Sequence, residues 1–149
     1  MAQGDVTVFE EALAYMIDGG WEAADDIKVA ILDNTTAPTA ADTTPALGDY
    51  TEVGTAGNYA AGGTSIGNLG TAVTEAAGVM KFDSATNPNW AADGSNDADA
   101  YWGLIYNDTD AGDLALAFVD LGGPVDMSTN PLTLTWDASN GVFTISIAA

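Results

Sequence analysis

Residues 101–121 read YWGLIYNDTDAGDLALAFVDL. Tyr101 to Tyr106 is a run of aromatic and aliphatic side chains of the length and type of a buried central strand, and Leu114 to Leu121 is a second. Between them, NDTDAGD concentrates the residues that favour turns. Strand, turn and strand predict an antiparallel hairpin, and with it a β-rich fold. On the C-terminal side, Gly122-Gly123-Pro124 is expected to break the second strand. Leu132, Leu134 and Trp136 then alternate, Asp137 to Gly141 (DASNG) turns the chain, and Phe143, Ile145 and Ile147 alternate back. This pattern predicts a C-terminal hairpin.

On the N-terminal side, Asn87-Pro88-Asn89-Trp90 marks a turn into a short strand. Thr71 to Asp83 reads as one long strand or a bent pair around Gly78, with Val79, Lys81 and Asp83 on one face and Met80 and Phe82 on the other. From Tyr50 to Gly70, glycines inside strand-like text indicate bulges and close backbone approach. They do not form a phosphate loop, because the closing Gly-Lys-Ser/Thr is missing. Residues 34–49 (NTTAPTAADTTPALGD) lack periodicity and predict a long surface loop or loosely held arm, with an inter-subunit contact as its expected use. Ile27 to Leu32 (IKVAIL) predicts a buried strand carrying Lys28 on its outer face.

The first twenty residues read as a helix. Thr7 and Glu10 have capping-box spacing, Phe9, Leu13, Met16 and Ile17 recur at helical spacing, and Gly19-Gly20 ends the run. The expected architecture is mainly β: one domain over residues 1–149, an antiparallel β-sandwich or flattened barrel with one short N-terminal α-helix.

The chain has 149 residues, with 22 acidic side chains against two basic ones and a formal net charge of −20. At 47% hydrophobic it is too apolar for charge-driven disorder, so a folded core is expected. Glu stands only at positions 10, 11, 22, 52 and 75; every other acid is Asp, which favours turns. Most of the charge is thus expected on loops, leaving the partner-facing side the less acidic one. Treated as a charged sphere, such a domain carries a self-repulsion on the order of 10 kcal/mol at physiological salt, roughly doubled at about 0.01 M. Stability is therefore expected to rise with salt between about 0.01 and 0.5 M. A melting temperature flat across that range would contradict this.

Lys28 and Lys81 are the only side-chain cations, which excludes a phosphate-gripping basic patch, so no nucleic acid is expected as partner. Anionic membrane surfaces are disfavoured for the same reason. The start, MAQGDVTVFEE, has neither the basic flank nor the apolar run of a secretory signal, and no stretch of about 18 apolar residues follows. With no His, Cys or Arg there is no Ser-His or Cys-His nucleophile, no thiolate metal site, no disulfide and no bidentate phosphate clamp. Catalysis is not expected.

Three features still invite a site. Asp93, Asn96, Asp97 and Asp99 form one oxygen-rich cluster and Asp108, Asp110 and Asp113 another. Calcium takes six to eight oxygens. An EF-hand starting at Asp108 would nevertheless need Glu where Val119 stands, so solvated Asp turns are the expectation. Glu10-Glu11 and Asp25-Asp26 are paired carboxylates, as glycoside chemistry uses, but neighbours in sequence need not share a pocket. Trp21, Trp90, Tyr101, Trp102, Tyr106 and Trp136 are of the type that lines sugar sites, and in a β-domain of this size they are expected in core and interface. No catalytic, cofactor or metal residue is assigned.

Several stretches carry a resemblance. They are Ile27-Lys28-Val29-Ala30-Ile31-Leu32-Asp33, Tyr59-Ala60-Ala61-Gly62-Gly63, Trp90, the run from Tyr101 through Tyr106 to Thr109, Ala117 to Gly123, Leu132 to Asp137, and Gly141-Val142-Phe143. In this order the chain resembles small structural proteins of tailed bacteriophages, the head decoration (cement) proteins and small fibre or tail components. The resemblance is one of strands and turns, not of a catalytic signature. It implies an oligomeric part of the virion surface without a cofactor, and does not fix which part; the leading expectation is a cement protein on the outer surface of the capsid, a homotrimer bound to the phage major capsid protein. A tail or fibre component binding the host surface is the alternative. The residues before Gly20, or the 34–49 stretch, are the expected contacts with shell or neighbour.

Overall fold

The computed structural model describes residues 4–84, 86–96 and 99–146. Among them the strands are β1 (Val6–Val8), β2 (Asp26–Leu32), β3 (Thr64–Asn68), β4 (Val73–Ala76), β5 (Val79–Phe82), β6 (Asn89–Trp90), β7 (Ala100–Asn107), β8 (Ala115–Val125), β9 (Leu132–Thr133) and β10 (Phe143–Ser146). Helical structure is confined to α1 (Ala12–Tyr15), which runs on into a wider turn at Met16–Gly20, to a single turn at Leu47–Asp49, and to α2 (Leu69–Ala72). The fold is mainly β and antiparallel, with one short helix near the N-terminus.

The hairpin at 101–121 forms as its sequence predicts. β7 pairs antiparallel with β8, placing Leu104 opposite Phe118, and on its other side with β2, placing Ala30 opposite Leu104. The full sheet runs β1-β8-β7-β2-β3, so the two most apolar strands are interior. Both faces are covered, which is why β2 and β7 read as continuous apolar runs. Ile27, Val29, Ile31 and Ile105 point to one side, where Phe82, Trp90, Leu132 and Phe143 from the two smaller sheets, and Leu134 just beyond β9, meet them. Ala30, Leu32, Leu104 and Tyr106 point to the other, against Phe9, Ala12 and Tyr50. The arrangement is sandwich-like on the first side and closed by the N-terminal segment and the 34–49 loop on the second.

Four expectations change. Thr7 does not cap a helix: it lies in β1 opposite Phe118, and the helix begins only at Ala12. Three residues of edge pairing with β8 hold Val6–Val8 extended and override the capping-box pattern. Second, Gly122-Gly123-Pro124 does not end β8. Trp102 pairs with Asp120 and Ala100 with Val125, so the glycines loop out as a bulge and pairing resumes beyond Pro124. Third, the C-terminal hairpin has its turn, with the Gly141 N–H donating to the Asp137 carbonyl at 2.7 Å, but its two arms go to different sheets. β9 pairs with β6 and β10 with β5, where Phe143 stacks on Phe82 at a ring separation of 5.5 Å. Ile147 lies outside the described residues.

The fourth change concerns the 34–49 arm, which is fastened rather than loose. Pro38 and Pro45 are buried, the Ala115 N–H donates to the Pro45 carbonyl, and the Tyr50 hydroxyl donates to Asp42. Burial raises the Asp42 pKa, but hydrogen bonds from Thr39 and Tyr50 outweigh it and hold the carboxyl below its ordinary range. The segment around Gly78 is the bent pair: β4 and β5 are joined by Ala77 (φ 53°) and Gly78 (φ 79°). Two central residues at positive φ are the backbone of a tight hairpin turn, which Gly accommodates. Met80 and Phe82 share one face and Val79 and Lys81 the other, and Lys81 pairs with Asp83 at 2.7 Å.

Candidate functional site

The two segments expected to make contacts meet in space. The Glu10 N–H donates to the Ala40 carbonyl at 2.9 Å, and Glu11 Oε2 accepts the Thr44 N–H at 2.6 Å. Phe9 and Ala12, buried against Phe118 and Tyr50, anchor this end of the helix. Further along, Tyr15 packs on the core and Met16 is half-buried, while Leu13 and Ile17 point outward. Ile17 is 87% exposed, Leu13 43% and Val79 38%, and these are the large apolar side chains the fold leaves in water. The periodicity of Leu13, Met16 and Ile17 is real, and although Met16 is half-buried, nothing among the described residues covers Leu13 and Ile17.

Grooves lie on both sides of this ridge. One, of about 430 Å³, runs between Leu13, Met16 and Ile17 and the sheet end at Met80 and Ile145. Glu75 is the one carboxylate in its lining, and it caps the hairpin turn by accepting the Gly78 N–H. The other, of about 650 Å³, lies between Ala14 and Ile17 on the helix and a wall of Pro45, Leu114 and Ala115. Glu11 and Asp18 also line it, and so does Tyr15.

Tyr15 is positioned by a polar cluster at the end of β7. Asn107 Nδ2 donates to Asp25 Oδ2 at 2.8 Å and to the Tyr15 hydroxyl at 3.4 Å, and Asp25 also accepts the Glu22 N–H. Gly20 leaves the space the Tyr15 ring occupies, since a Cβ there would overlap it. Burial and a hydrogen bond to Asp110 push the Tyr15 hydroxyl up to about 12.

The remaining candidates do not converge. Asp93 Oδ1 accepts the Ser95 N–H, while Asn96 is buried and spans from the Met127 carbonyl to the Tyr59 N–H. Asp97 lies outside the described residues. Asp108 pairs with Lys28 at 2.7 Å, and Asp110 accepts the Gly112 N–H as turn-forming Asp does. Among the described residues no three acidic side chains are grouped to hold a metal ion. Glu11 is bound to Thr44, Asp25 is buried beside Asn107, and Asp26 accepts the Ser65 hydroxyl, so the two acidic pairs serve different local structures. The aromatics are dispersed: Trp21 packs on Phe143, Trp90 on Tyr59, Trp102 on Phe118, and Trp136 donates to the Thr86 carbonyl.

Leu114, Ala115, Met80 and Ile145 are absent from any sequence-based site, and Pro45 enters only as part of the 34–49 stretch. In the sequence they are ordinary strand or loop residues, and only their position opposite the helix gives them a role. No helix among the described residues is long and apolar enough to cross a membrane. Comparison with protein-family models, with curated proteins and with solved structures finds no match to this chain.

Proposed function

We propose that the protein is a structural component of a virion, a capsid decoration (cement) protein on the outer surface of a tailed-phage head, assembled as a homotrimer and without catalytic activity. The observation that carries this reading is the ridge of Leu13 and Ile17, uncovered among the described residues, with half-buried Met16 beside Met80 and Ile145, on a domain otherwise dominated by Asp turns. Apolar area of this kind on an acidic domain marks a protein-contact surface. The acidic remainder keeps decorated particles apart in solution. Each copy buries a modest area, so a shell is held by many copies acting together.

The test is sedimentation of purified protein with empty expanded shells. Wild-type protein co-sediments, and Ile17→Asp, at a site already in water, lowers the affinity at least about tenfold. Burial of one isoleucine contributes about 1.5–3 kcal/mol, and about 1.4 kcal/mol is a factor of ten. Failure of the wild-type protein to bind shells removes the cement role.

One observation favours the alternative, a tail or fibre component binding the host surface. A cleft of about 540 Å³ is lined by Asn58, Thr64, Ser65, Asn87 and Asn89 beside Trp90, all uncharged groups suited to sugar hydroxyls. Binding to host glycans with none to shells supports that reading instead.

A further inference from the structure

The cement reading leaves open what the larger groove takes. We infer that the groove between the Ala12–Gly20 helix and the wall of Pro45 and Leu114 is a docking site for an extended segment of a partner protein that presents an apolar side chain flanked by lysine or arginine. The inference rests on the attachment reading for the partner's identity as a capsid component, but not for its chemistry.

The apolar part of the argument is Ile17, almost wholly in water and facing Pro45 and Leu114 across about 650 Å³ of open space. The charge part is the rim. Glu11 and Asp18 line the groove, and the Asp110 carboxylate stands near Tyr15, which also lines it. The described residues supply no cation to these carboxylates, because Lys28 is engaged with Asp108 and Lys81 with Asp83. An incoming surface must bring its own positive charge, or the rim acids lose hydration without compensation. That argues against a second copy as the occupant. Both of its lysines would be engaged in the same way, and its surface would add acid to acid. The expectation that the partner side is acid-poor therefore suits the Met80 and Ile145 groove and not this one.

The floor is already built for a ligand. On the helix wall Tyr15 is held by the Asn107 cluster and Glu11 by the Thr44 N–H, and on the opposite wall the Pro45 carbonyl accepts the Ala115 N–H of β8, so little ordering remains to be done on binding.

The experiment uses the full chain, isotope-labelled, and three short synthetic peptides in about 0.15 M salt, where surface charge is screened beyond about 8 Å. One peptide contains lysine and leucine, the second replaces lysine by glutamate, and the third replaces leucine by serine. The lysine–leucine peptide is expected to give saturable amide shifts at Ala14, Ile17, Asp18 and Thr44. The other two should bind at least about tenfold more weakly. Asp18→Asn and Ile17→Ser, both at exposed positions, should each weaken the lysine–leucine peptide severalfold. Equal binding of the serine peptide would show counter-ion attraction alone, and equal binding of the glutamate peptide would show that the rim charge is irrelevant. Either result overturns the inference, as do shifts confined to the 108–113 loop. Self-association that shifts the amides of Asp18 and Thr44, which line this groove and not the other, would make the occupant a second copy, and would also overturn it. Peptide binding in the groove by a protein that ignores shells keeps this inference and removes the cement reading, whereas the reverse result removes only this inference.

Discussion

Raising the pH above about 11 is expected to unfold the protein cooperatively, with the rise in tyrosinate absorbance coinciding with the loss of near-ultraviolet circular dichroism. Tyr50, Tyr59 and Tyr106 are buried; the Tyr50 hydroxyl donates to Asp42 and that of Tyr59 to Glu52, while that of Tyr106 donates to the Gly62 carbonyl with Asp108 Oδ1 3.3 Å away. Burial first, and the adjacent carboxylate second, push all three pKa values up from the ordinary tyrosine range. A raised pKa on an acid that is neutral when protonated means that the unfolded chain loses these protons first. The stability they confer is fully present below about pH 10 and is lost as pH rises toward the raised values. Each group removes about 1.4 kcal/mol per pH unit in that window, so three remove about 4. A typical domain holds only about 5–15 kcal/mol. Tyr15, pushed up to about 12 but only partly covered, adds less. The net charge of −20 acts in the same direction, since every new phenolate meets an already negative body. Gradual titration centred near pH 10 with native circular dichroism retained would show that these hydroxyls are not enclosed.

The second large effect belongs to Gly63. It follows Gly62, whose N–H donates to Glu52 Oε2 at 2.8 Å and whose carbonyl accepts the Tyr106 hydroxyl at 2.8 Å. Tyr59 completes the cluster by donating to Glu52 and accepting the Ile31 N–H. This places the Tyr59–Gly63 turn directly on β2. A methyl group on Gly63 would enter the envelope of the Val29 carbonyl oxygen and come within 2.8 Å of the Ala30 Cα, both rigid backbone of a central strand. Its φ of +69° adds the cost of a left-handed conformation. Gly63→Ala is expected to lose about 3–5 kcal/mol and about 10–15 °C in melting temperature. Gly48→Ala, with open space around the new methyl, serves as the matched control and should stay within about 0.5 kcal/mol. Melting of Gly63→Ala within 3 °C of wild type, on the order of 1 kcal/mol, would mean that the turn does not sit on β2 as described.

Legibility in the sequence follows the range of the forces involved. β2, β7 and β8 were readable because both of their faces are buried, and a run of apolar side chains between turn residues states that locally. The bend at Ala77-Gly78 and the faces of Met80 and Lys81 were readable for the same reason. Pairing partners were not. Alternation at Leu132 and Phe143 says which side chains share a face, and it is silent on whether a strand's neighbour is next in sequence or fifty residues away. β1 was lost because three residues carry too little pattern to compete with a capping-box signature.

The candidate site shows the same division. Leu13, Met16 and Ile17 announced an amphipathic helix, and the N-terminal and 34–49 segments stood out as candidate contacts. That these segments close on one another, with Leu114 as the far wall, depends on the register of β7 with β8 and of β1 with β8.

What the amino-acid sequence determined by itself was chemical. It set a charge of −20 carried mainly by Asp in turns, withheld His, Cys and Arg and the reactions they perform, and wrote strand faces into its alternation. Composition and short-range periodicity carry such information because each residue contributes it independently of its distant neighbours. The tertiary structure decided which strands pair, why Gly63 must be glycine, and that Leu13 and Ile17 of the first helix stay exposed among the described residues. Those depend on which surfaces are brought together at long range, and burial is a property of the pair, not of either residue alone.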